Sequence, residues 1–134
     1  MSLRFADTYY FLALLSPEDA GHERATAASR QSRERRDVLV TTAWVLTELA
    51  DALASSRNRN LFSQTLAAIR ADPRFRIVPP TEGLFDRGVE LYEKRSDKDW
   101  SLTDCISFVV MDEKKITEAF AYDQHFSQAG FGLV

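Results

Sequence analysis

A single cysteine, Cys105, cannot close an internal disulfide, so the fold must stand on its packing, and a reducing cytoplasm suits the chain. Only five glycines occur and none sits in a phosphate-cradling loop, which argues against P-loop and dinucleotide-binding chemistry. The two histidines, His22 and His125, are far apart and no cysteine pair accompanies them, so the usual zinc spacings are missing. No serine has the surroundings of a nucleophile elbow. No stretch approaches ~20 consecutive apolar residues. No charged leader precedes an apolar run, so neither a membrane span nor a signal peptide is expected. Excess positive charge is also lacking: the net charge is −3, and any surface that meets nucleic acid must be a local one.

What the chain does have is apolar material. At 134 residues and 45% hydrophobic composition, one sizeable core and a single domain over residues 1–134 are expected. Short apolar runs at Leu3–Ala6, Val38–Val40, Phe75–Val78 and Ala119–Tyr122 read as strands, with Gly130–Val134 as a possible fifth. Helical stretches lie between them. Ser16-Pro17-Glu18-Asp19 reads as a helix start with Pro17 at the first position. Thr41 or Thr42 caps a helix from Ala43 to about Ala54, and Thr81 opens one that runs to about Arg95. This alternation predicts an α/β fold, a three-layer α/β/α sandwich with a mainly parallel central sheet.

The most informative stretch is Trp100–Met111. Ser101 and Asp104 have capping-box spacing, and from Cys105 to Met111 only Ser107 is polar, so the helix is expected to be buried with Asp104 in its first turn. Asp104 then either satisfies helix-end amides or belongs to a cluster of acids that holds cations. Three further acids can reach the same end of a parallel sheet. Asp7 and Asp123 each follow an apolar strand, and Glu48 lies just over a turn into the helix after the second strand, at the edge of its apolar arc. Asp51 falls toward solvent. Four acids at one sheet edge repel one another unless a cation neutralises them. Carboxylates without cysteines or a histidine pair suit hard ions, Mg²⁺ or Mn²⁺, which activate water for in-line attack on a phosphodiester.

These residues carry a resemblance. Asp7 in Phe-Ala-Asp-Thr, Glu48 in Leu-Thr-Glu-Leu, Asp104 in Trp-Ser-Leu-Thr-Asp-Cys and Asp123 in Tyr-Asp-Gln-His-Phe are similar in order, spacing and context to the four acids of PIN domains. The chain resembles in particular the VapC-type ribonuclease toxins of prokaryotic toxin–antitoxin systems. The resemblance implies a cytoplasmic, Mg²⁺- or Mn²⁺-dependent endoribonuclease, commonly a homodimer, that acts on RNA and is inhibited by a cognate antitoxin. It implies metal ligation and catalysis by Asp7, Glu48, Asp104 and Asp123. Thr8, Ser101 and Thr103 are expected to hydrogen-bond those ligands from behind. Arg33, Arg35, Arg36, Arg57, Arg59, Lys94, Arg95 and Lys98 are candidates to track an RNA backbone. The competing readings are a non-catalytic RNA- or protein-binding module of the same fold, and a nuclease directed at DNA. His125 is equally a cleft residue or a structural one.

Overall fold

The structure is a computed structural model and describes residues 2–134. In chain order the elements are β1 (Leu3–Ala6), α1 (Thr8–Leu15), α2 (His22–Arg35), β2 (Val38–Thr42), α3 (Ala43–Ala52) and α4 (Arg59–Ala71). They continue with β3 (Phe75–Val78), α5 (Glu82–Lys94), α6 (Leu102–Glu113), β4 (Glu118–Phe120), α7 (Gln124–Gln128) and β5 (Gly132–Leu133). The strands form one sheet in the order β3-β2-β1-β4-β5, and every pairing is parallel. Parallel strands are covered on both faces and therefore read as continuous apolar runs, as in β2, where all positions are buried. The one polar intrusion at its centre is satisfied: the Thr41 hydroxyl donates to the Ala6 carbonyl at 2.9 Å.

The path of the chain places the helices. From β1 through β2 to β3 it moves one way across the sheet, and from β3 to β4 and β5 it moves back. Right-handed crossovers then put α1 to α4 on one face and α5 to α7 on the other. The contacts agree, since α1 meets α2 and α3, while α6 meets α5 and α7. Side chains alternate across the strands accordingly. Phe5 points to Phe126, with ring centroids 6.1 Å apart, and Phe126 meets Phe108 at 4.9 Å; on the other face Phe120 lies 4.8 Å from Tyr10. Gly88 sets how closely α5 approaches α6, because a Cβ there would overlap Cγ1 of the fully buried Ile106.

Two boundaries depart from the sequence reading. Pro17 does not start a helix; residues 17–21 form turns, and α2 begins at His22. Pairing to β1 ends at Phe120, so β4 stops there and Ala121 to Asp123 leave the sheet. The other signals act as expected. Thr42 caps α3 through a bond from the Val45 amide, Thr81 caps α5, and Ser101 and Asp104 form a complete capping box on α6. Among the described residues no helix is long and apolar enough to cross a membrane.

At the N-terminal end of the sheet the buried Arg4 lies 3.4 Å from Asp37 and 3.1 Å from Glu118. This ion network joins β1, β2 and β4 at the end remote from the four acids of interest.

Candidate metal centre

Strand order reverses between β1 and β4, and in an open parallel sheet that is where functional groups collect, beyond the C-terminal strand ends. Asp7 is the residue after β1, and its amide donates to the Phe120 carbonyl at 3.1 Å, which joins the exits of the two strands. The Asp7 carboxylate is buried and, although Asp7 is the N-cap of α1, it makes no cap bond. Burial pushes its pKa up to about 8; the Thr8 amide opposes this, and the charges of Asp104, Asp123 and Glu48 raise it further. Those three acids therefore face Asp7 across the strand exits.

Each of the other acids is held by a neighbour. Glu48, half-buried on α3, accepts a 2.5 Å hydrogen bond from the Thr8 hydroxyl. Asp104, in the first turn of α6, is buried, and its Oδ2 accepts both the Ser101 amide at 3.2 Å and His125 Nδ1 at 2.9 Å. A carboxylate only accepts, so the imidazole proton sits on Nδ1. Among the described residues no hydrogen bond engages Oδ1, so Asp104 serves as a cap through one oxygen and presents the other to the cleft. Asp123 caps α7 through the His125 amide at 2.9 Å, and its Oδ2 lies 3.9 Å from His125 Nδ1.

The tightest grouping differs from the expected four acids. Donor atoms of Asp104, Asp123 and His125 lie within 4.8 Å of one another, whereas Asp7 and Glu48 stand outside that grouping. His125 was the residue that sequence reasoning left open. Its signal was its position two residues after Asp123, inside the first turn of a helix capped by that acid. His22, in contrast, is structural, with Nδ1 2.8 Å from the Ala13 carbonyl. Cys105 is buried and its thiol is pushed up to about 11, chiefly by burial and then by Asp104, so it is no nucleophile at neutral pH.

The Thr8 hydroxyl reaches Glu48, Ser101 meets Asp104 as its capping-box partner with the backbone amide donating to the carboxylate, and the Thr103 carbonyl accepts from the Ser107 hydroxyl. The basic candidates divide by position. Arg33, Arg35 and Arg36 precede β2 and so lie at the N-terminal end of the sheet, where Arg35 approaches Asp37 at 3.8 Å; the strand separates them from the acids. Arg57 and Arg59 flank Asn58, which shares a depression with Leu12 and Leu15 at the far end of α1 from Asp7. Only Lys94, Arg95 and Lys98 are on the segment that delivers α6 to the centre, and Arg95 is already paired with Asp97 at 2.9 Å and lies over the Trp100 ring.

The donor set fits a hard divalent cation. It consists of carboxylate oxygens, one of them oriented by the single imidazole through Nδ1, and it contains a buried acid that stays protonated at neutral pH unless positive charge arrives. Zinc-type thiolate ligation has no place in it, since Cys105 packs into the core.

The chain is similar to several known proteins. The chain matches the PIN domain over residues 4–132. It is 32% identical over 127 residues to the 23S rRNA-specific endonuclease VapC20 of Mycobacterium tuberculosis, a match that covers 95% of this chain and 94% of the relative. The crystal structure of that VapC20, a Sarcin-Ricin loop cleaving toxin, superimposes with a TM-score of 0.81 at 30% identity, covering 96% of this chain and 95% of the other. FitAcB from Neisseria gonorrhoeae has the same fold, with a TM-score of 0.66 at 18% identity over 99% of this chain and 96% of its own. The matched span reaches from β1 into β5 and includes every acid of the centre, and on that basis the chain belongs to the PIN domain family.

Proposed function

We propose that the chain is a metal-dependent endoribonuclease of the VapC toxin type, with Asp7, Glu48, Asp104 and Asp123 holding Mg²⁺ or Mn²⁺. The observation that carries the reading is the buried Asp7 carboxyl, raised to about 8 with three other acids facing it. A structural acid in such a place would be replaced at little cost by an uncharged residue, whereas a cation turns the same repulsion into affinity. The endonuclease activity of the similar VapC20 supports the direction of the chemistry.

A divalent ion at this position supplies activation of water and neutralisation of phosphate charge. The chain's own groups prepare for it. Asp7 gives up its proton when a cation enters, Thr8 fixes the rotamer of Glu48, and Ser101 and His125 fix Asp104 by the same oxygen. The reaction adds water across one P–O bond, leaving a hydroxyl on one RNA fragment and a phosphate on the other. By similarity to VapC20, 23S rRNA is the first substrate to try. A cytoplasmic homodimer restrained by a cognate antitoxin completes the reading.

The test compares Mn²⁺-dependent cleavage of 23S rRNA by the wild type, Asp104→Asn and Asp51→Asn, the last on an exposed acid of α3. Asp104→Asn keeps size and capping oxygen, so its metal-free melting temperature should be unchanged or higher, while cleavage falls by at least about 100-fold. Chelation with EDTA should abolish wild-type cleavage. An Asp104→Asn protein that is destabilised yet active removes the metal role from that residue.

A further inference from the structure

A depression of about 920 Å³ opens beside the N-terminus of α6, between the last turns of α5 and the segment that joins the two helices. Tyr92, Glu93, Lys98, Asp99, Trp100 and Ser101 line it. Ser101 is the residue whose amide holds Asp104, so the wall of the depression is one hydrogen bond from the carboxylate centre. Through that link, a phosphate at the centre would leave its neighbouring nucleotide beside this depression. On this basis, and resting on the ribonuclease reading above, we propose that the depression is a subsite for one unpaired nucleobase next to the scissile phosphate, with guanine preferred.

The lining argues for a base instead of a backbone phosphate. Glu93 and Asp99 repel phosphates, and Lys98 offers a single cation, so the RNA backbone is kept outside and an uncharged, flat group is what can enter. Tyr92 is 51% exposed at the end of α5, with its ring free to stack. Trp100 forms a fixed wall. It is buried, its Nε1 donates to Gln128 Oε1 at 3.1 Å, and Arg95 covers its ring at 5.1 Å. Single-stranded RNA is read in this way, by aromatic stacking together with hydrogen bonds to Watson–Crick edges. Guanine is the base whose edge sets two adjacent N–H donors against one carboxylate, with O6 left to accept from a lysine. The groups that line the depression complement that pattern.

The experiment follows short, 5′-labelled oligouridylates carrying one central guanine, adenine or cytosine, by fluorescence anisotropy. Ca²⁺ replaces Mn²⁺, and gels confirm that the RNA stays intact. The wild type should bind the guanine oligomer more tightly than plain oligouridylate. Tyr92→Ala should weaken that binding roughly 5- to 150-fold, the range of one lost base stack, while Tyr92→Phe keeps it. Glu93→Gln and Asp99→Asn should shrink the ratio of guanine to uridine affinity. Thermal melts check that each variant is folded, as Tyr92 and both acids are exposed. A Tyr92→Ala protein that binds every oligomer like the wild type overturns the subsite, and so does a Tyr92→Phe protein as weak as Tyr92→Ala. Loss of binding to a protein partner alone in Tyr92→Ala would give the depression to that partner and overturn it too. In each of these cases wild-type cleavage of RNA with Mn²⁺ still stands, whereas a wild type that neither binds nor cuts RNA removes the ribonuclease reading itself.

Discussion

At the scale of single residues, Asp7 links folding to pH. Its carboxyl titrates at about 8 in the folded chain against an ordinary value of 3.8. Below pH ~4 both states hold the proton. As pH rises the unfolded chain releases it first, so the stability contributed by Asp7 drains away up to the folded value and is gone above it. Metal-free wild type should therefore lose stability from pH ~4 to ~8 by on the order of a few kcal/mol more than Asp7→Asn. Melting curves of both proteins in EDTA across that range check this, and parallel curves would refute it. Cation binding near neutral pH should release about one proton, measurable by calorimetry in buffers of different ionisation enthalpy. His125 is the second residue with a defined task. Asn carries an amide nitrogen where imidazole has Nδ1, and Gln carries one where it has Nε2. His125→Asn should hence keep Asp104 oriented and retain most Mn²⁺ affinity, while His125→Gln should lose about 10- to 100-fold. Equal losses in the two variants would show that the Nδ1 contact does not position Asp104.

At the scale of elements, the centre depends on how α6 is set against its neighbours. Asp104 is only as well placed as the helix that carries it, and that helix is seated against α5 at Gly88. Gly→Ala in a helix interior is worth up to about 1 kcal/mol in propensity. Here the added methyl meets Ile106, which has no exposed surface to yield into, and overpacking costs about 1–3 kcal/mol. The clash wins, so Gly88→Ala should lower the denaturant midpoint and weaken Mn²⁺ binding together. A midpoint that rises would mean that α6 shifts freely and is not the rigid support described. The two helices also explain why Lys94, Arg95 and Lys98, among all the basic candidates, are the ones that precede Asp104 directly: they lie at the end of α5 and on the link that leads into α6.

At the scale of the whole molecule, what was legible in the sequence followed from local rules. Caps at Thr42, Thr81 and Ser101 act over three residues, apolar runs mark strands, and an acid directly after a strand points to the sheet edge. What was not legible depends on contacts between distant segments. Pro17 satisfied the rule for a first helical position, yet residues 17–21 turn because α1 must hand over to α2 on the same face. Arg33, Arg35 and Arg36 were candidates to track an RNA backbone, but β2 lies between them and α3, so they sit at the other end of the sheet from Glu48. His125 joined the centre through a bond to Asp104, twenty-one residues away, which no spacing rule encodes. The same long reach sets the order of events when the chain is made. Asp7 leaves the ribosome long before Asp123, and β1 acquires its β4 partner only through Phe5 with Ala119 and Ala6 with Phe120. A nascent chain lacking that partner has neither the strand exit nor the fourth acid. A ribosome that has not yet released the segment around Ala119 therefore carries a chain whose carboxylate centre is still unassembled.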